Sequence, residues 1–273
     1  MTMGPITAAA TEAEVAFADV ALGNGVRLRY AHRGPATGPA IVLLHGYSDS
    51  SFSFSRIMPL LPPDRRVIAP DLRGHGDSDK PASGYRMADL AGDVIEMLDA
   101  LDVPSAVIVG HSMGSFVAQA LVEKAPRLVS GLVLLGSAPV AVNDTIKMLR
   151  SAVDELTDPV DIGFVRDFQY GSIAQPVPYA FMQTAIATSM RLPAAIWRQL
   201  IKGMMEYEPQ MPRSSVRVLV IGGAQDSVFS VKEQAALAQQ YPFARLRLFD
   251  DAGHSLHWEQ PEAFVRALLA FVR

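Results

Sequence analysis

A set of short apolar runs, separated by segments of helical period, constrains this chain more than any other feature of it. Ala40-Ile41-Val42-Leu43-Leu44 is continuously apolar, and Val67-Ile68-Ala69, Ala106 to Val109, Leu132 to Leu135 and Val216 to Ile221 repeat the signature. A strand has this composition when both of its faces are buried, as in a parallel sheet. Between the runs, Met87, Leu90, Val94, Met97 and Leu101 fall on one helical face, with Pro104 just beyond. Met113 to Lys124 predicts a second helix, stopped before Pro126, and Trp258 to Val272 a third, with Pro261 near its start. Strands alternating with helices pack as an α/β fold, a mostly parallel sheet covered on both faces.

Asn24-Gly25 between two alternating stretches predicts an edge hairpin from Phe17 to Tyr30. The alternation fails between Pro139 and Pro212, which is helical in tendency and interrupted by Pro159, Pro176, Pro178 and Pro193. Sheet-type sequence resumes at Val216, so the expected organisation is a core of residues 1–138 and 213–273 with an inserted helical cap at 139–212. Met1 to Ala18 has neither a basic leader nor an apolar stretch, and a frayed tail is expected there rather than a secretory signal.

The chemistry sits where a buried strand meets a helix. Ala106 to Val109 runs into Gly110-His111-Ser112-Met113-Gly114, a Gly-x-Ser-x-Gly turn with a strand before it and a helix after it. Glycines permit the sharp turn that lifts the serine hydroxyl above the sheet, beside the positive end of a helix. A serine needs a base. Of the 6 histidines, His254 is placed best, after the strand-like Ala244 to Phe249 and before the last helix. Its rival His257 is expected to serve as a helix cap or to support the site from behind. An acid must then hold the imidazole. Asp226 follows the run ending at Ile221, at the strand edge where open parallel sheets place their sites. Asp144, after the Leu132 to Leu135 strand, is the alternative acid.

With these residues in place the chain resembles the α/β-hydrolase superfamily from about Phe17 to Arg273. The order Ser112, Asp226, His254 is the one that fold uses. His45-Gly46-Tyr47 resembles its oxyanion segment, Asp71 to Ser78 the loop after the next strand, and Gly253-His254 with Glu259-Gln260-Pro261 its terminal segment. The resemblance implies an eight-stranded sheet with the cap inserted, and an oxyanion hole built from the backbone N–H groups of Tyr47 and Met113. Ser115 departs from the pattern, standing where many relatives carry a third glycine. Ser112 followed by Met113 also departs from relatives that attack carbon–halogen bonds or epoxides with an Asp.

The implied reaction is hydrolysis of a small to medium, largely apolar carboxylic ester or lactone through an acyl-enzyme on Ser112. Cleavage of a carbon–carbon bond in a β-diketone-like compound uses the same residues, and a ligand-binding sensor with a retained triad is the reading from outside enzymology. Half of the chain's 12 Met lie in the cap (Met148, Met182, Met190, Met204, Met205 and Met211), among aromatic residues. From these, Tyr170 and Trp197 are expected to line an apolar substrate pocket. No cofactor is called for: no glycine-rich segment matches a nucleotide-binding pattern, and no His or carboxylate set has metal-ligand spacing. A net charge of −4 with scattered Lys and Arg gives no footprint for nucleic acid, and no apolar run approaches the roughly 20 residues of a membrane span. The absence of cysteine is compatible with a reducing compartment, so a cytoplasmic location is the default expectation.

Overall fold

The computed structural model describes residues 14–210 and 216–273. Its sheet opens with β1 (Ala16–Ala21) and β2 (Arg27–Arg33), paired antiparallel with Ala16 opposite His32, and Gly25 turns the chain between them at φ +84°. The hairpin therefore begins inside the stretch expected to be tail, and residues 1–13 lie outside the described residues. Next come β3 (Ala40–Leu44), β4 (Arg66–Pro70), α1 (Met87–Ala100), β5 (Ala106–His111), α2 (Met113–Lys124) and β6 (Val129–Leu135). Helices α3 (Asp144–Asp154), α4 (Ile162–Gly171), α5 (Tyr179–Ser189) and α6 (Ala194–Met205) then follow without a strand among the described residues. The chain closes with β7 (Val218–Gly223), α7 (Val231–Gln239), β8 (Arg245–Phe249), α8 (Leu256–Glu259) and α9 (Pro261–Val272). The eight strands form one sheet in the order β1-β2-β4-β3-β5-β6-β7-β8, antiparallel through β1, β2 and β4 and parallel from β4 onward.

The continuous apolar runs are explained by two cores, one on each side of the sheet. Val42, Leu44, Ile108, Leu132 and Leu134 point to the side packed by α1, α2 and α7. Their sequence neighbours Ile41, Leu43, Val107, Val109, Val133 and Leu135 point to the other, where Phe264, Leu268 and Phe271 of α9 cover them. Successive side chains in a strand alternate faces, so a strand between two helical layers must be apolar at every position.

Two expectations are corrected. The single helix expected over Trp258 to Val272 is two, α8 and α9, broken at Gln260 with φ −132° and ψ 62°. Pro261 lacks an N–H and its ring blocks the carbonyl four residues back, so it begins a new helix instead of continuing the old one. The strand expected at Val216 starts two residues later, at Val218. Met211 and Pro212, where the cap was expected to end, fall outside the described residues.

Of the four helices between β6 and β7, α3 and α6 are tied by polar contacts to segments that follow the parallel strands. Asn143 caps α3 by accepting from the Ile146 amide at 3.0 Å, while its own amide donates to the Val228 carbonyl and to Glu233. The Tyr47 hydroxyl, in the loop after β3, donates to the Trp197 carbonyl of α6 at 2.7 Å.

Candidate active site

Ser112 sits between β5 and α2 with φ 51° and ψ −119°, a conformation that L-residues rarely adopt. The turn holds it there. The Ser112 amide donates to the Leu135 carbonyl at 2.9 Å. A Cβ at Gly110 would lie 2.3 Å from the Gly114 carbonyl oxygen, and one at Gly114 2.2 Å from that of Leu44, so both glycines are sterically required. Ser115, the departure from the expected pattern, fits: its hydroxyl donates to the Ser112 carbonyl at 2.5 Å and lies 2.6 Å from Ser137 Oγ. A third glycine would leave that carbonyl without this donor.

His254 and Asp226 come together from the loops after β8 and β7. Both carboxylate oxygens of Asp226 lie 3.0 to 3.1 Å from His254 Nδ1. Oδ1 also accepts from the amides of Val228 and Phe229 at 2.8 and 2.9 Å, which fixes the plane of the carboxylate. An acceptor at Nδ1 assigns the proton to that nitrogen and leaves Nε2 free to accept one. The His254 loop is itself anchored, because Glu259 of α8 accepts from the Gly253 and Gln175 amides. The alternative acid is remote from this chemistry: Asp144 is 96% exposed and pairs with Lys147.

His257 is neither a helix cap nor a candidate base. It is fully buried, its Nε2 lies 3.0 Å from Ser53 Oγ, and burial pushes its pKa down to about 3. His111 donates from Nε2 to the His254 carbonyl at 3.1 Å, and burial holds its pKa well below the ordinary value. These imidazoles pack against one another at tilted angles, with ring centroids 5.0 Å apart for His111 and His254 and 4.5 Å for His111 and His257. They give His254 a stiff, uncharged backing.

Ser112, His254 and Tyr47 open onto a cavity of about 250 Å³. Its opposite wall is helical: Thr145, Ile146 and Leu149 of α3, Asp167, Phe168 and Gly171 of α4, and Met204 of α6. Ser172, Ser227 and Val228 complete it. Neither expected substrate contact is among these residues. Tyr170 is two positions from Phe168 and so on the far side of α4, 41% exposed. Trp197 is fully buried one layer back, its ring packed edge-on against Tyr47, Phe164 and Phe168 at 4.9 to 5.5 Å. Of the cap methionines, Met204 alone among the described ones lines the cavity, whereas Met148 is 74% exposed.

The amide of Met113 is at the first position of α2, with no helical carbonyl four residues back to receive it. Tyr47 follows Gly46 in the loop after β3 and lies on the cavity wall. Tyr47 and Ser112 thus line the same cavity, and Met113 follows Ser112 directly in the chain. Sequence reasoning missed Asp49 and Gln169. Asp49 is buried next to this loop and accepts from Gln169 Nε2 at 3.1 Å, and burial pushes its carboxyl up to about 7. Nothing in Ser48-Asp49-Ser50-Ser51 distinguishes a buried aspartate from a solvated loop. Among the described residues there is no group of three or more potential metal ligands, and no helix is long and apolar enough to cross a membrane.

Comparison with known proteins agrees with this fold. The sequence model of the alpha/beta hydrolase fold matches residues 39–261. A 3-oxoadipate enol-lactonase of Acinetobacter baylyi is 28% identical over 271 residues, covering 94% of this chain and 97% of the relative. Among solved structures, a hydrolase from Pseudomonas aeruginosa is 26% identical, with a TM-score of 0.82 over 94% of this chain and 98% of that one. An esterase from Exiguobacterium antarcticum shares the fold with a TM-score of 0.82, at 22% identity, over 93% of this chain and 98% of that one.

Proposed function

The chain belongs to the α/β-hydrolase family, and from that premise we propose that it is a serine hydrolase of uncharged carboxylic esters or lactones. The observation that carries the reading is the Asp226–His254 pair, with its acceptor nitrogen left free, on the same cavity as a serine in a left-handed turn. In this reading His254 Nε2 takes the Ser112 proton as Oγ attacks the ester carbonyl, and Asp226 stabilises the imidazolium. The N–H groups of Tyr47 and Met113 receive the oxyanion. Collapse expels the alcohol, which leaves with the proton from His254. Water then attacks the acyl-enzyme, gives its proton to His254, and releases the acid and free Ser112. The helices between β6 and β7 act as the cap over the acyl or alcohol group. No cofactor enters this scheme.

The cavity's charge narrows the substrate. No Lys or Arg is among its lining residues, and Asp167 contributes a carboxylate, itself paired at 3.1 Å with Arg166. A substrate carboxylate entering this site finds no partner, and an unpaired charge in a largely apolar cavity is disfavoured. The acid substrate named for the Acinetobacter relative is therefore not assigned to this chain. The test is turnover of paired esters, such as p-nitrophenyl butyrate against its ω-carboxylated counterpart, with Ser112→Ala as control. The neutral ester should have the higher kcat/KM by about tenfold or more, equivalent to ~1.4 kcal/mol. Equal turnover refutes the neutral preference. Turnover of β-diketones without any ester hydrolysis refutes the ester reading.

A further inference from the structure

Beside the substrate cavity lies a second space of about 30 Å³ that also touches Ser112 and His254. Its wall includes Phe168 and Trp258, and also Asp49, His111 and Gln169, polar side chains that do not line the larger cavity. That volume exceeds the ~10–15 Å³ needed to admit one water molecule. It is too small for an acyl chain.

The groups around it include one unpartnered acceptor, on His111, and the Asp49 carboxylate, which Gln169, Ser53 and the Gly46 amide hold in place. His111 gives its Nε2 proton to the His254 carbonyl, which leaves Nδ1 as a bare acceptor, and that buried atom has no partner among the described residues. The Asp49 carboxylate engages Gln169 Nε2 through Oδ1. The two acceptors converge on the face of Gly46 that carries no side chain: a Cβ built there would lie 2.9 Å from His111 Nδ1 and 3.1 Å from Asp49 Oδ2. Any residue other than glycine at position 46 would intrude on that space. Burial pushes the Asp49 carboxyl up to about 7, so above neutral pH it is the anion, the stronger acceptor.

We infer that Asp49 and His111 hold the hydrolytic water of this enzyme in a dedicated annex, from which it attacks the acyl group on Ser112. The inference rests on the serine hydrolase reading above. The water gives one hydrogen to an annex acceptor, which orients it. Its other hydrogen passes to His254 Nε2 as its oxygen bonds to the acyl carbon. The tetrahedral adduct then collapses, the acyl–Oγ bond breaks, and Ser112 recovers its proton from His254. Asp49 is a positioning residue: it touches the water and acts on deacylation only. Acylation uses the same serine and histidine without the annex.

The test separates the two half-reactions. Stopped-flow release of p-nitrophenol from p-nitrophenyl acetate at pH 8.5 gives the first-turnover rate and the steady-state rate. Product analysis in added methanol gives the ratio of methyl ester to acid. In Asp49→Asn an amide N–H₂ group replaces an acceptor, and the first turnover should stay within about twofold of wild type. Steady-state turnover should fall roughly tenfold, the effect of one lost charge-assisted bond. The methyl ester to acid ratio should rise by the same factor, because methanol enters through the larger cavity. Gln169→Met, on a different element, should act in the same direction and serves if Asp49→Asn does not fold. Equal loss in both phases with an unchanged product ratio would show that Asp49 only supports the loop, and would overturn the annex. Wild-type enzyme that releases no p-nitrophenol and takes up no acyl group on Ser112 would instead overturn the serine reading itself.

Discussion

Replacing Asp226 by asparagine tests how the acid works, because the structure determines which way the amide must face. Oδ1 of Asp226 accepts from two backbone amides, Val228 at 2.8 Å and Phe229 at 2.9 Å. Only the asparagine carbonyl oxygen can satisfy both donors, so its N–H₂ group is placed where Oδ2 now lies, 3.0 Å from His254 Nδ1. A donor there forces the imidazole proton onto Nε2, which can then no longer accept from Ser112. The loss expected from a triad acid turned into its amide is about 10⁴ in kcat, or ~5.4 kcal/mol. Packing is unchanged, so the melting temperature should move by only a few degrees. Asp144→Asn, at an exposed position paired only with Lys147, should stay within about twofold of wild type. Kinetics on p-nitrophenyl butyrate, with a thermal melt of each variant, decide the matter. A folded Asp226→Asn enzyme that keeps more than about one per cent of kcat, or an Asp144→Asn enzyme that loses more, refutes the tautomer argument.

Three further outcomes are expected. Across p-nitrophenyl esters from acetate to palmitate, kcat/KM should rise roughly fourfold per methylene, ~0.8 kcal/mol each, and fall once the 250 Å³ cavity is full; a profile still rising at palmitate contradicts a closed pocket. Trp197→Ala should destabilise the fold by ~3 to 5 kcal/mol in urea titration, whereas Tyr170→Ala should leave stability and chain-length optimum unchanged; the reverse pattern contradicts their placement. Stability should fall in acid: His45 (about 4), His75, His111 and His257 (about 3) are held neutral by burial, so below about pH 6.5 the unfolded chain binds protons the folded one refuses. Each such histidine removes up to ~1.4 kcal/mol per pH unit, opposed by the raised Asp49, and a melting temperature constant from pH 7 to pH 5 contradicts their neutrality.

The parts of this protein that are legible in its sequence are those fixed by period and by steric necessity. Strands buried on both faces have no polar positions, so Ala40–Leu44 and Leu132–Leu135 stand out against helices in which one face stays wet. Gly110 and Gly114 are legible because no other residue fits against the Gly114 and Leu44 carbonyls. Asp226 and His254 are found by their positions after strands, since the parallel sheet brings those loops to one edge. The cap is less legible. Its aromatic and Met content says that something is apolar there, but whether Trp197 packs behind Tyr47 or faces substrate depends on helix rotation that composition does not record. Tyr170 and Phe168 differ by two positions and lie on opposite sides of α4. Asp49 was invisible for a related reason: burial of a short polar loop is a tertiary fact, set by β3, α4 and α5 meeting around it.

The central claim is that Ser112 is the nucleophile, and covalent capture tests it most directly. Wild-type protein treated with a fluorophosphonate should gain one adduct by intact mass, carried on the peptide containing Gly110 to Gly114. Ser112→Ala, melting as wild type does, should gain none and hydrolyse no ester. An adduct that persists in the alanine variant, or that maps to any other serine, contradicts the account.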